Sequence, residues 1–252
     1  MLFVNLFEND FKLFLPEFFL VTAILTIVLY GSFYSVSREH NYPLINVSTC
    51  WASVFTLVNT FFLIVFTRDV SGIIFNGTFI CDLLSQNSKL FIIAATIVCL
   101  LISLPYIRNY KVNSFEYFLL ILLSVLGLML LCSSFDLISV YLAIELQSLC
   151  LYVLAAFNRE SAYSTEAGLK YFILGAFASG LLLFGISIIY GFAGTTNFED
   201  LHMLFALDTE NQRAIQTGLI FISCAFLFKM AASPFHVWSP DVYDGAPLNS
   251  TI

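Results

Sequence analysis

Seven apolar runs, separated by short polar stretches, organise the chain: roughly 13–34, 49–67, 89–107, 116–135, 137–157, 167–192 and 214–238. A helix needs about 20 mainly apolar residues to cross the ~30 Å hydrocarbon layer of a bilayer, and each run approaches or meets that length. The runs are too long for membrane strands and show no alternation of apolar and polar positions, so spanning strands are excluded. Only Ser134 to Asp136 separate the fourth and fifth runs, which predicts a tight helical hairpin. The stretch 73–89, IIFNGTFICDLLSQNSK, is too polar to span. Its Asn-Gly pair at 76–77 predicts a hairpin turn, and the residues after it a surface helix.

Composition turns this pattern into a class. Of 252 residues, 60% are hydrophobic and 11% charged, with a mean hydropathy of +0.91. Soluble domains sit near half apolar and about a quarter charged, so this is an integral membrane protein, surrounded by lipid. A net charge of −7 and the lack of any basic stripe exclude a nucleic-acid partner. The six cysteines form no CxxC pair and fall mostly in apolar runs, which predicts buried free thiols. His40, His202 and His236 have no zinc-ligand spacing, so no metal is expected. The acidic N-terminus MLFVNLFENDFKLF lacks the basic region of a signal peptide and the Arg-rich pattern of a transit peptide, so the first run is expected to stay as a membrane helix.

Loop charges set an expected orientation. Arg38, Arg108, Lys111 and Arg159 occupy the odd loops. The even loops hold Arg68 and Arg213 but are richer in acid, with Asp69, Asp82, Asp136, Glu199, Asp200, Asp208 and Glu210. Basic loops stay on the cytoplasmic or matrix side, so the N-terminus, with Glu8, Asp10 and Glu17, is expected on the opposite side.

Three ionisable residues, Glu145, Lys170 and Lys229, are candidates for burial mid-bilayer, where a charge costs at least ~2.5–3.5 kcal/mol on insertion scales. Glu145 sits mid-run in LISVYLAIELQSLCLYVLAAF, beside Gln147 and Ser148. It is either a titrating carboxylate or a protonated, hydrogen-bonded one. Lys170, near the start of the sixth run, either snorkels to the interface or pairs with Glu166 four residues earlier. Lys229 lies ~22 Å along a helix that begins at Ala214, too deep for easy escape. Low dielectric favours a neutral amine and a nearby carboxylate favours the ammonium, so a Lys–Glu pair of variable separation is a proton switch. Pro234 removes a backbone N–H and clashes with the preceding turn, which predicts a broken helix there. Freed backbone groups in a membrane are tolerated where they line a wet cavity, so Lys229, Pro234 and His236 together predict a hydrated path. His236 is otherwise an interfacial neighbour of Trp238. In the sixth run, Gly175, Ala178, Ser179, Gly180 and Gly185 predict close approach by another helix.

The stretches DLISVYLAIELQSLCLYVLAA, STEAGLKYFILGAFASGLLLFGISIIYG and FLFKMAASPFHVWSPDVYDGAP, in this order and spacing, resemble membrane subunit 2 of respiratory complex I, the N subunit of bacteria. The likeness leans to mitochondrial types, is strong over 114–248 and loose over the first three spans. It implies an all-α polytopic membrane fold with an antiporter-like half. Residues 1–112 would be a three-helix extension and 113–252 a first antiporter-like repeat, its last helix broken at Pro234. Glu145, Lys170 and Lys229 match the family's proton-carrying residues on its fifth, sixth and broken seventh helices. The family carries no redox cofactor on this subunit; flavin, iron–sulfur clusters and quinone belong to others. The expected site is the mitochondrial inner membrane, with the N-terminus towards the intermembrane space, rather than a bacterial plasma membrane. The sequence ends at GAPLNSTI, where the family enters a further helix, so a split gene, a shortened chain or a relic remains open. Other complex I membrane subunits are expected partners, with a second polypeptide supplying the missing C-terminal half. A subunit of a multisubunit monovalent cation/proton antiporter and a non-pumping structural fragment are the rival readings.

Overall fold

A computed structural model describes residues 10–34, 46–68, 70–110, 115–206 and 212–251. Arg38, His40, Asp69, Lys111, Asp208 and Glu210, which entered the orientation and metal arguments, lie outside the described residues, as does Glu8. The apolar runs are helices, α1 (Leu15–Tyr34), α2 (Asn46–Phe66), α3 (Leu83–Tyr110), α4 (Glu116–Ser133), α5 (Leu137–Ala155) and α6 (Ala162–Ala193). These six are long and apolar enough to cross a membrane. A short helix, α7 (Phe198–Ala206), precedes α8 (Gln212–Lys229), and α9 (Trp238–Gly245) and α10 (Leu248–Thr251) follow it. The seventh run, α8, carries Gln212, Arg213 and Lys229 at its ends and is correspondingly less apolar.

The stretch after α2 forms a two-stranded hairpin, β1 (Gly72–Ile74) and β2 (Phe79–Cys81). Its turn uses left-handed backbone at Phe75, Asn76 and Gly77, as the Asn-Gly signal predicts. The expected surface helix after it does not exist. Those residues are instead the first turns of α3, which begins at Leu83 rather than 89. Burial is possible because most of the polar groups find partners. Ser85 Oγ caps the helix by accepting from the Asp82 N–H at 2.9 Å. Gln86 Nε2 donates to the carbonyls of Val70, at 3.2 Å, and Thr67, at 3.4 Å.

The chain divides into two compact units at residues 133/134, with 77–79 joining the second. The boundary at 112/113 was drawn from sequence as a repeat boundary; the packing boundary lies one helix later. In the first unit α1 packs on α2 and α4, and α3 on α2 and α4, closing a four-helix bundle. Leu20, Leu57, Ile93, Leu100, Phe118 and Leu122 fill its centre. Core hydroxyls bond within their own helix, Ser53 to the Cys50 carbonyl and Thr60 to that of Leu57, so the interior stays free of unmet donors at those positions.

In the second unit α6 is the hub, against α5, α8 and α9. Asp136 caps α5 through a reciprocal box with Ser139, and Ser161 caps α6. The small residues of α6 do what their size predicts at two places. Gly175 makes room for Tyr152, and Gly185 lies against the backbone of Gly218 on α8. Ala178 and Ser179 are buried. Gly180 faces open space and takes no part in the approach.

Candidate functional site

Glu145, Lys170, Lys229, Pro234 and His236 all belong to the second unit. Glu145 projects from the middle of α5, and Lys229 is the last residue of α8. Their side chains meet, with Lys229 Nζ 3.6 Å from Glu145 Oε1 and side-chain exposures of 17% and 21%. That is an ion pair held just beyond hydrogen-bond length. Glu145 Oε1 is buried and has no hydrogen-bond partner among the described residues. Lys229 Nζ also donates to the Tyr152 hydroxyl at 3.4 Å and lies 5.9 Å from the centre of that ring. The amine therefore stands between a carboxylate and a phenol, both at long range.

The helix carrying Lys229 stops there. The Ala232 N–H bonds to the Leu227 carbonyl at 2.9 Å and the Ala231 N–H to that of Phe228 at 3.1 Å. This paired pattern closes a helix through a left-handed residue, normally glycine. Here it is Ala231, with φ of 51°. The break spans 230–237, so regular helix ends before Pro234, which sits inside the interruption in a cis peptide bond with Ser233. Trp238 Nε1 donates to the Phe228 carbonyl at 3.1 Å, satisfying a group at the helix end. A Cβ in left-handed backbone costs about 1–2 kcal/mol, against about 0.5–1 kcal/mol for glycine's extra chain entropy. Ala231→Gly is therefore expected to stabilise the fold by about 0.5–1 kcal/mol, read as a higher thermal unfolding temperature in detergent.

Aromatic rings tie the pair to the break. Tyr152 meets Tyr171 edge-on at 4.6 Å, Tyr171 stacks on Trp238 at 5.0 Å, and Trp238 stacks on Phe228 at 5.9 Å. Tyr152 is buried, and a Cβ at Gly175 would lie 2.1 Å from its hydroxyl. Neither Tyr152 nor Gly175 was singled out from sequence for this role. The signal for Tyr152 was its place seven residues after Glu145, on the same face of α5.

Lys170 pairs with Glu166 at 2.9 Å, as its spacing predicts, and with Asp241 of α9 at 2.8 Å. Its side chain is 43% exposed, and it forms no ion pair with Glu145. It fastens α6 to the short helix after the break. His236 is exposed, and its carbonyl accepts from Ser239. Among the described residues its imidazole makes no hydrogen bond or ion pair. The structure thus brings Glu145 and Lys229 together beside a helix break, leaves Lys170 on a second charged contact, and leaves His236 apart.

A further buried pair escaped the sequence reading. Lys89 Nζ of α3 meets Glu17 Oε1 of α1 at 2.5 Å in the first unit. Each residue stands near the start of its apolar run, where a charge does not call for a buried partner.

Residues 134–252 match the transmembrane family described as NADH:quinone oxidoreductase/Mrp antiporter. NADH-ubiquinone oxidoreductase chain 2 of Marchantia polymorpha is 43% identical over 249 residues, covering 96% of this chain and 51% of that protein. NADH-quinone oxidoreductase subunit N of Paramagnetospirillum magneticum is 43% identical over 244 residues, covering 94% and 48%. The chain spans about half the length of the curated relatives it matches. Among solved structures, respiratory complex I from Thermus thermophilus with bound aureothin superposes with a TM-score of 0.75 at 26% identity, over 93% of this chain and 48% of that one. The Mrp complex from Dietzia sp. gives 0.73 at 20% identity, over 95% and 45%, which speaks for the fold alone. The chain thus has homologues named NADH-ubiquinone oxidoreductase chain 2 and NADH-quinone oxidoreductase subunit N, and its residues 134–252 match the antiporter-like transmembrane domain.

Proposed function

We propose that this chain is a membrane-arm subunit of respiratory complex I that carries protons through Glu145 and Lys229, driven by NADH–quinone oxidoreduction in other subunits. The observation that carries the reading is the buried pair, 3.6 Å apart, at the end of an interrupted helix. A contact that is close but not closed can open or tighten with small movements of α8. Each change alters how well the ammonium and carboxylate forms are stabilised, so a proton is taken up or released. Interrupted helices supply such sites in transporters. Lys170, linked to Asp241, would modulate the pair by holding α9. Flavin, iron–sulfur clusters and quinone would reside on other subunits. The partners would be the other membrane subunits. The membrane would be the mitochondrial inner membrane, with the N-terminus towards the intermembrane space.

Purification of the native complex tests this assignment. Recovery of the chain with flavin and iron–sulfur subunits is the expected result. Recovery with cation/proton antiporter subunits and no redox centres would reverse it in favour of the rival family member. Tyr152 gives a finer check. Tyr152→Phe removes the second partner of Lys229 while keeping the ring. A hydrogen bond worth ~1 kcal/mol corresponds to about a fivefold slower proton translocation, measured in reconstituted vesicles at unchanged NADH oxidation per assembled complex.

A further inference from the structure

We propose that Glu17 and Lys89 form a second proton-binding site, in the first compact unit, with a proton delivered through water as its ligand. The inference rests on the proton-carrying reading of the chain. The pair is more deeply enclosed than Glu145–Lys229, with side-chain exposures of 1% for Glu17 and 4% for Lys89. One carboxylate oxygen, Oε1, takes the ammonium. The other, Oε2, is buried and has no hydrogen-bond partner among the described residues. Three residues before Lys89 on α3, Gln86 Oε1 is also buried and unpartnered among the described residues, while its amide nitrogen is committed to two carbonyls. An amide flip cannot cure this, because it would aim the oxygen at those carbonyls.

These two buried acceptors, Glu17 Oε2 and Gln86 Oε1, call for donors that the described residues do not supply. Water is the donor that fits buried polar sites. Glu17 then holds an anionic oxygen open to water, with an ammonium on its other side. Proton arrival on Oε2 neutralises the acid and frees Lys89 to release its own proton. Transfer of the Glu17 proton to the neutral Lys89 amine, along their direct contact, restores the ion pair, so one proton is bound and one released per cycle. Among the described residues, Cys81 lies within electrostatic reach of Glu17, Lys89 and Asp82. Burial pushes the Cys81 thiol up, so it stays protonated and is not the relay. A buried ion pair is not needed merely to hold α1 against α3, since apolar residues of similar volume commonly do so as well or better.

That comparison supplies the test. The complex carrying Glu17→Leu with Lys89→Leu is purified, reconstituted into vesicles and assayed for protons moved per electron, beside Glu17→Gln and Glu145→Gln. The proposal expects the leucine pair to assemble and oxidise NADH with at least a twofold lower ratio, and Glu17→Gln to share the loss. A wild-type ratio in the leucine pair overturns it and makes the contact purely structural. Wild-type pumping in Glu145→Gln would instead sink the proton-carrying reading itself. Infrared difference spectra under turnover are the second readout. Glu17→Asp, which keeps a carboxyl in place, must shift a protonated-carboxyl C=O band. Absence of any band sensitive to Glu17→Asp overturns the proposal even if the leucine pair does not accumulate.

Discussion

Lys229→Ala should abolish proton translocation coupled to NADH oxidation, lowering it at least tenfold in reconstituted vesicles. The substitution removes the only ammonium paired with Glu145 among the described residues. It leaves a carboxyl group whose buried oxygen already lacks a hydrogen bond. Removing one partner of a buried pair costs about 3–5 kcal/mol when the other stays charged, so Glu145 is driven to keep its proton. A carboxyl that never ionises carries nothing. The break itself survives, because the bonds that close α8 are made by backbone groups and Trp238, not by the lysine side chain. Assembly should therefore persist while pumping is lost, and normal pumping at normal assembly would refute the assignment.

The second large effect is structural. Gly218→Leu should destabilise the second unit by about 3 kcal/mol or more and lower the amount of assembled complex. At this crossing α6 and α8 touch through backbone. A Cβ at Gly218 would stand 2.8 Å from Ile189 and 3.0 Å from the Gly185 carbonyl, and one at Gly185 would stand 2.8 Å from the Gly218 carbonyl. Overpacking typically costs about 1–3 kcal/mol, and the upper end applies where backbone rather than a flexible side chain must yield. Displacing α8 would also carry Lys229 away from Glu145. Gly180→Ala is the control, because no atom lies within 4 Å of the Cβ it would add. Equal thermal stability of Gly218→Leu and wild type would show that the crossing is not as close as described.

Much of this was legible in the sequence. Six of the seven apolar runs became helices that can span a membrane, because length and hydropathy alone decide that outcome. The Asn76-Gly77 turn was legible because left-handed backbone selects those residues. The pair of Glu145 and Lys229 was legible because a charge deep in an apolar run demands a partner. The Glu17–Lys89 pair was not. Each residue lies near the start of its helix, where a surface position costs little, and only the α1–α3 contact reveals the burial. The start of α3 was missed for the same reason. Gln86 and Ser85 are polar enough to forbid a span in isolation, but hydrogen bonds to Val70 and Asp82 remove much of that penalty. The break was placed at Pro234 by its chemistry. Its true start, just after Lys229, goes with an alanine in left-handed backbone at 231, which no composition rule announces.

The claim at the centre is that Glu145 and Lys229 act as one unit. A double-mutant cycle on proton translocation addresses it directly, using Glu145→Gln, Lys229→Met and the two combined in assembled, reconstituted complex. If the pair is a single relay, each change alone removes the activity and the combination is no worse than either, a strongly non-additive result. Two partial losses that multiply in the double variant would mean that the two side chains serve independent steps, and the account given for them would be contradicted.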